Sequence, residues 1–181
     1  IRWPGLGAAG RVDSALHYHI DFGATLVELA GGKVPENWDG ASFAEAFRAG
    51  GQSGREYLAL TQGAWTGQRA IRWGDWLCIR TYHDGYHEFP EAMLFDVVND
   101  PHEQHDLAQA RPDLVGDAMT RLAAWQAEMM RTATTPQDPM WTILCEGGPF
   151  HTCGELPRYL QRLRATGRGE LLLECRHALN N

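Results

Sequence analysis

The stretch QRAIRWGDWLCIRTYHDG, residues 68–85, decides the fold. Its two halves run apolar or alternate with aromatic and β-branched residues, and the dipeptide Gly74-Asp75 between them is a turn signal, so the segment reads as an antiparallel hairpin with strands over 68–73 and 76–82. Asp84-Gly85 supplies the turn that ends the second strand. Working outward, YLALTQ (57–62) reads as a preceding strand, and the run at 92–97 as a fourth one that completes a small sheet. Pro112 then opens a helix through residue 130, in which Leu114, Met119, Leu122, Trp125 and Met129 recur at helical spacing, so one stripe is expected to lie on the sheet.

The remaining segments are shorter. Asp21 stands before FGATLVELAGG (22–32), where Leu26, Leu29 and Ala30 share a helical face and Gly31-Gly32 provides a left-handed stop; this predicts an Asp-capped helix. Ser42-Phe43-Ala44-Glu45 has the spacing of a capping box ahead of a short helix that ends near Gly50. A Thr/Pro/Asp linker (132–138) leads into PMWTILCEGGPFHTCG (139–154), read as irregular, and then into a helix over 155–165 stopped by Gly167, with a short tail helix after it.

The segment LFDVVNDPHEQHDLA (94–108) gathers His102, His105, Asp96, Asp100, Glu103 and Asp106 and invites a metal reading. The two histidines are three apart, whereas a helical zinc site of the H-E-x-x-H kind needs four with Glu as general base. Asp100-Pro101-His102-Glu103 instead has the pattern of a helix start, with Asp at the cap and Pro at the first position, so the stretch is expected to be a strand-to-helix corner.

Composition bounds the function classes. The 181 residues are 44% hydrophobic and 22% charged, enough to bury a core. A formal charge of −7 argues against a general nucleic-acid partner, which needs a clustered Lys/Arg surface; Arg158, Arg162, Arg164 and Arg168 form the most evident local patch. Cys78, Cys145, Cys153 and Cys175 form no C-x-x-C pair, which indicates neither a zinc ribbon nor a redox motif, and the compartment stays open. No apolar run approaches the roughly 20 residues of a membrane span, so no membrane partner is expected. The opening IRWPG, without Met, reads like the end of a core strand, and a fragment of a longer protein is expected.

Several passages together resemble the C-terminal third of a type I sulfatase, a member of the alkaline-phosphatase-like superfamily. They are IRWPG with its Gly/Ala loop, HYHIDFGATLVELAGGKVPENWDGASF (17–43), the hairpin QRAIRWGDWLCIR, and MLFDVVNDPHEQHDLA ahead of a long helix. Against the family's D-x-x-P-T-L-L-x-L-A-G run and D-G-x-S loop, Asp21, Thr25, Leu26, Leu29, Ala30, Gly31, Asp39, Gly40 and Ser42 match in order, with Ala24 where Pro is usual. The segment at 138–168 also resembles a terminal extension found in some bacterial sulfatases.

The resemblance implies an α+β fold, a small antiparallel four-stranded sheet packed by a long helix and preceded by the last strand and helix of an α/β domain. The corresponding boundaries are 1–50 for the end of that domain, 51–135 for sheet and helix, and 136–181 for the extension. It also implies a sulfuric ester hydrolase whose formylglycine nucleophile and Ca2+ site lie outside this segment, since no cysteine or serine here has the family's C-x-P-S-R context. The chain alone is then expected to be inactive, its partners being the upstream catalytic domain and a sulfated small molecule or glycan. The same part of a phosphonate or phosphodiester hydrolase, and a stand-alone carbohydrate-binding module, are the alternatives.

For substrate contact the candidates are His151, Gly147, Gly148, Trp141, His83 and Tyr86. Adjacent glycines allow close backbone approach to a ligand and His151 can donate to an anionic oxygen; a surface turn with a hydrogen-bonded His is the plainer reading. His17 and His19 share one face of an extended chain, which suits a metal or simply the lead-in to a helix. Trp65, Trp73, Trp76 and Trp125 are expected to pack in core and sheet rather than to form a sugar platform.

Overall fold

The computed structural model describes residues 3, 5, 10–51 and 53–167. The core-strand reading of IRWPG rests mainly on residues outside this set, and the Gly/Ala loop at 6–9, the tail helix, Cys175 and Arg168 lie outside it altogether. The chain forms two compact units that divide between Leu58 and Ala59.

In the first unit, α1 spans His19–Leu29 and α2 spans Ala44–Ala49. The helix α1 begins two residues before Asp21, because Tyr18 is the capping position and the Asp21 carboxylate reaches back from the first turn to accept the Tyr18 amide at 2.7 Å. Gly31, at φ 81°, ends the helix: the Gly31 and Gly32 amides donate to the Glu28 and Val27 carbonyls, a Schellman closure that the left-handed residue makes possible.

The capping box expected at Ser42 is not formed. Phe43 is the N-cap of α2, and the Ser42 hydroxyl accepts the Ala44 amide at 3.1 Å. What ties this loop down comes from α1 instead. Asp21, 1% exposed, accepts the Ala41 amide and forms a two-pronged ion pair with Arg55 at 2.6 and 3.0 Å, while the Thr25 hydroxyl accepts the Phe43 amide. Burial pushes the Asp21 carboxyl up, but the bonds from Arg55, Ala41 and Tyr18 outweigh it and hold the group below the usual range. Gly40 is required at the crossing, since a Cβ there would lie 2.5 Å from the Ile20 carbonyl oxygen.

The second unit is built on the sheet, β1 (Tyr57–Gln62), β2 (Gly67–Trp73), β3 (Trp76–His83) and β4 (Ala92–Asp96), in the order β1-β2-β3-β4. Trp73 pairs with Trp76 across the two-residue turn, and the antiparallel register sets Ile71 opposite Cys78 and Cys78 opposite Leu94. These three residues, each no more than 1% exposed, make one apolar row across the sheet. Full burial of a side chain such as Ile71 or Leu94 stabilises by about 1.5–3 kcal/mol. The helix α3 (Pro112–Thr132) packs on β2 and β4, with Leu122 of the expected stripe buried together with Ala118, while Leu114, Met119 and Trp125 are half-buried and Met129 is exposed. In this setting burial pushes the Cys78 thiol up to about 11, so it is an inert core residue.

Two expectations fail here. No helix starts at Asp100: residues 101–111 are turns and loop, Glu103 sits at φ 54°, and α3 begins only at Pro112. The carboxylates of this corner serve its loop amides, Asp100 accepting from His105, Asp96 from Val98 and Asn99, and Asp106 from Leu94 and Ala108. Side-chain bonds to nearby amides compete with helix initiation, and here they win. The second failure is the segment read as irregular, which contains a helix, α4 (Pro139–Cys145), capped by the Asp138 side chain at the Met140 amide with Pro139 at the first position. Last among the described residues comes α5, Leu156–Ala165.

Candidate functional site

Six of the predicted residues fall on two loops and one short helix of the second unit. His83 ends β3 and opens the turn at 83–87; Gly147, Gly148 and His151 lie on the loop after α4; Trp141 lies on α4. Five of them converge. Trp141 is set apart, its ring edge-on to Tyr82 at 6.3 Å beside the cluster of Tyr82, Met140 and Leu144, which makes it a packing residue.

His83 is fully buried and stacks on Tyr159 of α5, ring centroids 3.6 Å apart. Its Nδ1 accepts the Gly85 amide at 3.0 Å, so the neutral ring carries its proton on Nε2. That nitrogen faces the Gly147-Gly148 backbone: a Cβ on Gly148 would lie 2.4 Å from it and 2.3 Å from the Thr152 hydroxyl. The paired glycines have φ of 93° and 118°, and each is also closely packed: Gly148 against the imidazole and Thr152, Gly147 against the amides of Gly154, Glu155 and Leu156.

Burial pushes the His83 imidazole down to about 4, an effect that the Asp84 carboxylate only partly offsets. A histidine kept neutral in the fold but free to charge at about 6.5 when unfolded binds fewer protons in the native state. Stability is then complete above pH 6.5 and is lost as the pH falls toward 4. The expected loss across that window is about 3 kcal/mol, read as a fall in the urea midpoint that His83→Phe abolishes.

The turn itself is locked from both sides. Asp84 Oδ1 accepts the Tyr86 amide, the Asp84 amide donates to the Tyr159 hydroxyl, and His151 Nε2 donates to the Gly85 carbonyl at 2.8 Å. Tyr86, at φ 67°, donates its hydroxyl to Glu155 and carries the guanidinium groups of Arg158 and Arg162 over its ring at 5.6 and 5.3 Å. The two arginines lie at the surface in ion pairs, Arg158 with Glu155 and Arg162 with Glu88. Burial and the Glu155 carboxylate push the Tyr86 hydroxyl above its ordinary range.

Trp65 joins this cluster although the tryptophans were expected to pack inside. Trp73 does so; the Trp65 indole is 63% exposed and tilts against His151 at 5.6 Å. Nothing in the local pattern marks it, because its ring contact is with a residue 86 positions on. The alternative metal pairs are not assembled into sites: His17 lies on Phe43 at 4.5 Å, and His19, His102 and His105 are exposed. Among the described residues no group of three or more His, Cys, Asp or Glu side chains is placed to hold a metal ion.

The fold, a four-stranded antiparallel sheet under one long helix, is similar to part of several sulfatases. The chain is 28% identical, over an alignment of 145 residues, to the Ulvan-active sulfatase of Formosa agariphila, covering 62% of this chain and 28% of that protein. Among solved structures, BT4656 in complex with its substrate D-glucosamine-2-N,6-O-disulfate matches at TM-score 0.62 and 22% identity, over 72% of this chain and 28% of the other. Ps i-CgsB, solved also in complex with k-i-k-neocarrahexaose, matches at 0.52 and 26%, over 68% and 27%. The putative sulfatase yidJ from Bacteroides fragilis matches at 0.53 and 21%, over 68% and 27%. No family model matches. The chain is thus similar to sulfatases in sequence and fold over part of its length, and its partial coverage fits the C-terminal portion of one. It spans little more than a quarter of the length of the relatives it matches.

Proposed function

We propose that this chain is the supporting part of a sulfuric ester hydrolase, giving the enzyme a sheet-and-helix platform and one wall of its substrate cleft. The observation that carries the reading is the convergence of His83, Tyr86, Gly147, Gly148 and His151, from separate segments, on one locked turn of a sulfatase-like fold. His83, Gly147 and Gly148 set the turn; His151 and Tyr86 stand at its surface and meet the substrate. The nucleophile, which the resemblance makes a formylglycine, and the calcium ion would be carried on sequence outside this chain, since no cysteine or serine here has the family's C-x-P-S-R context and the described residues group no three His, Cys, Asp or Glu side chains for a metal. The substrate class is a sulfated small molecule or glycan, in keeping with the sulfated ligand of BT4656.

The test is sulfate release by the complete protein encoded with this chain, against sulfated glucosamine, carrageenan oligosaccharides and an aryl sulfate. Release is expected from at least one saccharide, and none from the 181-residue chain alone. His151→Ala is expected to raise KM about tenfold, the loss of roughly one hydrogen bond. A complete protein that cleaves only phosphonate or phosphate diesters would replace the sulfatase reading with its nearest alternative.

A further inference from the structure

The turn at 83–87 presents a second feature beside the groups that lock it. Trp65 and His151 stand together at the surface, ring centroids 5.6 Å apart, with Trp65 63% exposed. Exposed aromatic residues scattered singly need no explanation, but this indole lies against an imidazole. The Trp65 ring tilts against His151, and the His151 ring is itself tied to the turn through Nε2 and the Gly85 carbonyl. A flat apolar face fixed before any ligand arrives loses little entropy on binding.

The chemistry of His151 says what would lie on that face. Because Nε2 donates to the Gly85 carbonyl, the neutral ring leaves Nδ1 as an acceptor, and Nδ1 takes no hydrogen bond from a described residue. An acceptor next to an aromatic face suits a hydroxyl donor on a ring with an apolar C–H side, which is a pyranose. An anionic group fits poorly, since the cations nearby are already matched, Arg158 by Glu155 and Arg162 by Glu88.

We propose that Trp65 and His151 form a subsite for a neutral, hydroxyl-bearing sugar unit, distinct from the unit that carries the sulfate. This deepens the functional reading above and rests on it for the identity of the saccharide. It makes the substrate an oligosaccharide rather than a lone sulfated monosaccharide.

The experiment is calorimetric titration of the 181-residue chain with neutral tetrasaccharides, cellotetraose, neoagarotetraose and chitotetraose. Saturable binding to at least one is expected, weakened roughly tenfold or more by Trp65→Ala and kept within about threefold by Trp65→Tyr, which retains a flat ring. Unchanged thermal melting of the two variants shows that both are folded, as exposure of the side chain leads one to expect. Absence of saturable binding to all three sugars, or equal binding by Trp65→Ala, overturns the proposal. If the complete protein releases sulfate while the chain binds no neutral sugar, the subsite alone fails; if the chain binds and the complete protein releases no sulfate, the sulfatase reading alone fails.

Discussion

Replacing Arg69 with methionine is expected to destabilise the protein by about 3–5 kcal/mol, the largest single effect among its polar residues. Arg69 on β2 and Asp138 at the start of α4 are 6% and 5% exposed and are joined by two parallel bonds of 2.7 and 2.5 Å. Gln126 of α3 donates to the same carboxylate at 2.6 Å, and the Met140 amide to its other oxygen at 2.9 Å. The guanidinium also lies over the rings of Tyr82 and Trp125, so this one pair joins the sheet to both helices.

Burial alone would push the Asp138 carboxyl up, but the bonds from Arg69, Met140 and Gln126 hold it below its usual range. Removing the arginine strands a buried carboxylate, which is far costlier than never having had the pair. Arg69→Met combined with Asp138→Asn should therefore recover much of the loss, because asparagine still caps α4 while carrying no charge. Urea unfolding of the two single variants and the double one measures the coupling. A loss of less than about 1 kcal/mol for Arg69→Met would show that the pair behaves like an exposed one.

Gly85→Ala is expected to cost at least about 3 kcal/mol and to unlock the turn at 83–87. Gly85 has φ 59°, where an L-residue pays roughly 1–2 kcal/mol in backbone strain. The larger part is steric: the added carbon would overlap the Trp65 carbonyl at 2.0 Å, and backbone cannot rotate aside as a side chain can. Moving Gly85 also breaks its bonds to both His83 and His151. Gly74 is the control. It too has a positive φ, 45°, but nothing lies within 4 Å of its would-be Cβ, so Gly74→Ala is expected to cost only about 1 kcal/mol. Thermal melts of the pair separate strain from overlap, and the His151 ring resonances report whether the turn has opened; equal melting temperatures would remove the overlap argument.

The sheet and its long helix were legible because each has its own period. Alternation with turn dipeptides placed β2 and β3 to within a residue, and the stripe through Leu122 placed α3 and the face it buries. Caps were less legible. Asp21, Ser42 and Asp100 all have the residue type of a helix start, yet each carboxylate or hydroxyl accepts a different amide from the one assumed. Several short-range partners were open to each, and only the neighbouring chain selects one. The same holds for α4, where a strong cap and proline at 138–139 were present but the apolar run was too short for its period to show.

Of the site, the sequence by itself determined which residue types were available: His83 at the end of a strand, and the glycines, Tyr86 and His151 on loops. Their assembly was decided by tertiary structure alone. His83 meets Gly148 from one segment and Tyr159 of α5 from another, and the Trp65 carbonyl lies against Gly85, twenty residues on. Contacts between residues more than sixty positions apart leave no local pattern, since nothing in the periodicity of either segment records what the other brings to it.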